Sequence, residues 1–108
     1  MKKTIPFSKE IAFNTDIYEI NSISLEHNLK IDNNEINGEF IVSGDYKEND
    51  STLKNEPFIY NIPFNIDLDD KYNIEKSKID IDDFNYEVCS SNILQINIFL
   101  YIDNVDVI

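Results

Sequence analysis

The chain has 108 residues, 42% of them hydrophobic, and a formal net charge of −12. That length holds one domain, residues 1–108, and no second independent core, while the apolar share is that of a folded globular protein and not a disordered one. Twenty-one acidic residues against nine lysines, with no arginine, repel phosphate backbones, so nucleic acid and anionic membrane surfaces are poor partners.

Isoleucine dominates the apolar set, joined by Val, Phe and Tyr, with one Ala, one Met and one Gln in the whole chain. These residues suit half-buried strands and not surface helices. The start, "MKKTIPFSKEIAF", lacks the apolar run of a signal peptide, and no stretch is apolar enough for a membrane span, so no membrane insertion and a cytoplasmic location are expected.

Period-two alternation predicts strands almost throughout. In the first, Ile5, Phe7, Ile11 and Phe13 share a face, and Pro6, which cannot donate to a ladder, predicts a free edge near its start. From Ile17 the phase is lost near Asn21 and Ser22, which predicts a bulge or bend, with Ile23 and Leu25 on one face and Tyr18 and Ile20 on the other. Leu29 and Ile31 lead into an asparagine turn at "DNNE". The following strand sets Ile36, Gly38, Phe40, Val42, Gly44 and Tyr46 on one face; glycines there signal close approach of another backbone or a corner of the sheet. The polar stretch 47–56 predicts an exposed loop.

Residues 57–68, "PFIYNIPFNIDL", then repeat the line "PFSKEIAFNTDI" of residues 6–17, sharing Pro, Phe, Ile, Phe, Asn and Asp. The second copy is the more apolar, and is expected at a buried centre, the first at an edge. A further strand begins with Ile79 and Ile81, slips at Asp82 and Asp83, and continues with Phe84, Tyr86 and Val88. After "CSSN" the chain returns through Leu94, Ile96, Ile98, Leu100 and Ile102. The tail "DNVDVI" pairs as an edge or frays, and one short helical turn is conceivable only within residues 68–79. An all-β, antiparallel sandwich or partly closed barrel of about seven to nine strands follows. Its two similar halves would form one sheet each, with loop 47–56 crossing between them.

Few residues invite chemistry. His27 and Cys89 are single and far apart in sequence, in no nucleophile–base motif, and they exclude the usual Cys/His zinc site by number. His27 is expected at the surface, and a lone Cys89 forms no internal disulfide. Asp67, Asp69, Asp70, Asp80, Asp82 and Asp83 could meet around calcium, but they lack the twelve-residue loop with its glycine and closing glutamate. The plainer reading makes them solvent faces and strand ends that discourage aggregation. Tyr18, Tyr46, Tyr60 and Tyr101 are interaction candidates, since tyrosine buries area and keeps a polar tip.

Several stretches together resemble the N-terminal domain of the stage VI sporulation protein D family, the spore-coat morphogenetic proteins of endospore-forming Firmicutes. They are "EINSISLEHNLKI" (19–31), "INGEFIVSGDYK" (36–47), "PFIYNIPFNIDL" (57–68), "IDIDDFNYEV" (79–88) and "LQINIFLYI" (94–102). The resemblance implies a non-catalytic, cofactor-free assembly module on the mother-cell side of the developing spore, binding other coat morphogenetic proteins or itself as a homo-oligomer. Members of that family usually continue into a long acidic region and a peptidoglycan-binding domain, and this chain ends with the β-region. No site residue is carried over from the family. Binding through strand edges is therefore one expectation, and a small domain holding calcium or a small ligand through its acidic clusters is the other.

Overall fold

Alternation of apolar and polar residues becomes strand wherever the computed structural model describes the chain, over residues 2–68, 72–74 and 77–107. The elements are β1 (Lys3–Ala12), β2 (Glu19–Asp32), β3 (Glu35–Lys47), β4 (Glu56–Asp67), β5 (Tyr72–Asn73), β6 (Lys78–Ser90), β7 (Ile93–Asp103) and β8 (Asp106–Val107). The six long strands form two antiparallel three-stranded sheets, β1-β7-β6 and β2-β3-β4, and the two-residue β5 and β8 pair separately. The tail thus pairs. The sheets do not close into a barrel, because no ladder joins β2 to β6 or β1 to β4.

The repeated line explains this order. Its first copy, β1, lies against β7, with Phe7 opposite Ile98. Its second copy, β4, lies against β3, with Phe58 opposite Gly44. Each opening strand therefore completes the sheet of the other half, and the halves are interleaved where one sheet each was expected. Loop 48–55 consequently joins neighbours within one sheet, β3 and β4, and does not cross between sheets. Nor is β4 a buried centre: both copies are edge strands. Pro57 and Pro63 decide this. They fall six residues apart, so their missing N–H groups lie on the same side of the strand, where only an unpaired edge tolerates them.

The central strands are β3 and β7. On β7, Leu94, Ile96, Ile98, Leu100 and Ile102 are fully inaccessible, as are Ile36, Phe40 and Val42 on β3. Rings join the sheets: Phe7 stacks on Phe40 at 5.7 Å and meets Phe64 edge-on at 5.1 Å. Phe13, just past β1, contacts Tyr46, Phe58 and Tyr60 at 5.0, 5.3 and 5.1 Å. Ile74 and Val105, flanking the β5–β8 pair, join the same buried cluster.

Two irregularities shape the sheets. A bulge between Ile20 and Ser22 adds Asn21 to β2. The extra residue restores phase, so Ile20, opposite buried Tyr46, packs on the core with Ile23 and Leu25; the expectation that Ile20 faces away from them is corrected. A second bulge, at Asp82 of β6, keeps Phe84 on the same side as Ile79 and Ile81. Both glycines mark close backbone approach. A Cβ on Gly38 would overlap the carbonyl oxygen of Asn28, and one on Gly44 that of Ser22, both on β2. Gly38 also holds φ at +138°, which side chains resist.

Candidate functional site

The described carboxylates do not converge. Asp69 and Asp70 lie outside the described residues. Asp67 ends β4, whereas Asp80, Asp82 and Asp83 are exposed on β6. The Oδ1 atoms of Asp80 and Asp83 accept the amides of Ile81 and Phe84 at 2.8 and 2.9 Å, and Asp82 lies 3.8 Å from the Lys2 ammonium. Among the described residues, no group of three or more His, Cys, Asp or Glu side chains could hold a metal ion.

The four tyrosines have four different fates. Tyr46 is buried, and its hydroxyl shares a 2.6 Å hydrogen bond with Thr15 Oγ1, so it serves the core. Tyr46→Phe should cost about 1 kcal/mol in urea melts by stranding Thr15. Tyr60 is half-buried between Phe13 and Phe58, and desolvation, then the Tyr46 phenol, raises its pKa. Tyr101 is half-buried beneath the Lys2 ammonium, 4.2 Å from its ring centre. Tyr18, directly before β2, is the one of the four that is largely exposed, at 58%. A shallow depression of about 280 Å³ is lined by Asn14, Tyr46, Pro57, Phe58, Ile59 and Tyr60, but its Tyr46 hydroxyl is already engaged by Thr15.

His27, expected at the surface, is half-buried, its side chain 25% exposed. It stands on the core-facing side of β2, opposite Phe40; its Nε2 is 3.5 Å from Asp80 Oδ1 and its Nδ1 is buried without a hydrogen-bond partner. The contact bridges β2 to β6. Cys89 sits near the far end of β6, exposed, its thiol donating to Gln95 Oε1 at 3.2 Å. Desolvation, then Glu87 and Glu10, pushes its pKa up. The thiolate needed for alkylation therefore forms at higher pH than in an ordinary cysteine. Iodoacetamide at pH 8 should modify native Cys89 more slowly than the urea-unfolded chain; equal rates would contradict the shift.

The most distinctive arrangement is the seam between β2 and β6, which sequence reasoning did not single out. Pro6 faces Phe99 across the β1–β7 ladder, and a proline belongs in a non-hydrogen-bonded pair, so the backbone groups of Phe99 turn to Asp83 on β6. Asp83, Asn85 and Glu87 then bond β7, and the amides of Phe84, Tyr86 and Val88 point to the seam. The capture of the Phe84 amide by its neighbour's carboxylate fits this phase. On β2, Pro57 and Pro63 likewise set the phase through β3, so Ile23, Leu25 and His27 turn their amides to the same seam. The seam is pinned at His27–Asp80 and open beyond it. There Tyr86 and Val88, opposite fully buried Ile96 and Leu94, are 41% and 40% exposed.

No helix among the described residues is long and apolar enough to cross a membrane. Compared with known proteins, the chain matches no family model, no curated protein and no solved structure.

Proposed function

We propose that the chain is a small β-sandwich of eight strands, two of them only two residues long, that works as a non-catalytic interaction and assembly module. The observation that carries this reading is the row of backbone amides which the register of β2 and β6 turns away from their own ladders. Such edges accept a further strand, with main-chain bonds giving affinity and side-chain pockets giving selectivity. Catalysis lacks support: His27 and Cys89 stand on different strands, His27 beside the first residues of β6 and Cys89 near its end. The strand-pattern resemblance to the stage VI sporulation protein D family favours a role in spore-coat assembly, on the mother-cell side, with coat morphogenetic proteins as partners.

Selection from a displayed library of random twelve-residue peptides tests the reading. Enriched peptides should alternate apolar and polar residues, and should slow amide exchange along a strand edge. Failure to enrich any sequence, together with strictly monomeric sedimentation at high concentration, would contradict it.

A further inference from the structure

We propose that the open part of the β2–β6 seam receives an extended basic segment of a partner protein; this rests on the strand-edge reading and names its site and its ligand chemistry. Three observations meet there. The first is backbone: the amides of Tyr86 and Val88 face away from β7, toward β2, whereas that of Phe84 is already taken by the Asp83 carboxylate. The second is uncovered apolar surface. Ile79 and Ile81, at the start of β6, pack on the core, whereas Tyr86 and Val88, further along the same face, are about two-fifths exposed. An incoming strand would cover them with every second side chain.

The third observation is charge. The alternate residues of β6, including Asp83 and Glu87, are exposed on the outer face, and Glu26 of β2 is exposed across the seam. Of the nearby cations, Lys2 lies 3.8 Å from Asp82, and Lys47 stands opposite Glu19 across the β2–β3 ladder. A strand laid here sets its outward side chains beside those carboxylates, so lysine or arginine is favoured at every second position. A second copy of the chain is disfavoured, because its edges would bring the same acids against themselves and each copy carries a net charge of −12. The opposite gap, between β1 and β4, is filled by Phe7 against Phe64 and Phe13 against Phe58 and Tyr60.

The probe is a blocked ten-residue peptide of alternating lysine and valine, with an alternating glutamate–valine peptide as control, followed by amide exchange at 150 mM salt. The lysine peptide should slow exchange at Tyr86, Val88 and Leu25 at least tenfold, and the glutamate peptide should not. Tyr86→Lys and Val88→Lys, both at exposed positions that leave the core intact, should each weaken binding at least tenfold with unchanged circular dichroism. Protection confined to Ile59 and Asn61 on the β4 edge would overturn the seam and leave the strand-edge module standing. Equal protection by both peptides, or dimerisation through β6, would overturn the basic partner. Protection at no edge by either peptide would overturn the seam, and the random-peptide selection then decides the module separately.

Discussion

Replacing Gly38 with alanine should destabilise the protein by about 3 kcal/mol or more, the sum of a left-handed backbone and a steric collision. At φ +138° a Cβ meets the carbonyl oxygen of Asn28, which is backbone and cannot swing aside. The collision is relieved only if β2 lifts away from β3, and Leu29, opposite Gly38, would lose its packing with it. In a domain whose whole stability is on the order of 5–15 kcal/mol, that loss is large. A urea midpoint lowered in proportion, with the slope unchanged, is the expected result. Alanine at Ser43, on the outer face of the same strand, should change stability by no more than about 0.5 kcal/mol. A Gly38→Ala protein as stable as the parent would mean that β2 and β3 are not so closely apposed.

Phe40→Ala should cost about 3–5 kcal/mol, the range for a buried aromatic ring whose cavity only partly collapses. Phe40 is fully inaccessible and lies where the sheets meet, stacked on Phe7 of β1 and edge-on to Phe64 of β4 at 5.3 Å. Because those rings come from both copies of the repeated line, removing Phe40 loosens one sheet from the other. Ile59, also on β4 but 68% exposed on its outer face, should tolerate alanine with little change. Thermal melts of the two variants, read against the parent, make the comparison. Equal small losses would show that Phe40 does not fill the space between the sheets.

Much of this was legible in the sequence, because strand period and turn chemistry are local. The burial of Leu94, Ile96, Ile98, Leu100 and Ile102 follows from their alternation, and the slips at Asn21 and Asp82 were visible as breaks in phase. The glycines of β3 were readable as close approach or as a corner of the sheet, and the overlap a Cβ would make with β2 decides for close approach. Sheet order was not legible. The similarity of residues 6–17 and 57–68 said that the two segments occupy equivalent places, but equivalence holds equally for one sheet per half and for exchanged opening strands. Pro57 and Pro63 held the missing clue, because they mark β4 as an edge strand however apolar its other face.

The candidate site was less legible than the fold for a related reason. Tyr46, Tyr60 and Tyr101 differ in burial through partners distant in the chain, Thr15, Phe13 and Lys2 respectively. Tyr86 and Val88 alternate just as Ile79 and Ile81 do, yet they are 41% and 40% exposed where Ile79 and Ile81 pack on the core. His27 shares the alternating face of Leu25, Leu29 and Ile31, so its inward side was readable, but its partner Asp80 on β6 was not.

Amide hydrogen exchange of the unliganded protein along β6 bears most directly on the free edge. An alternating pattern is expected: slow exchange at Asn85 and Glu87, which bond β7, and fast exchange at Tyr86 and Val88, which face the seam. Uniformly slow exchange from residue 85 to residue 88 would contradict it, because the edge would then already be covered.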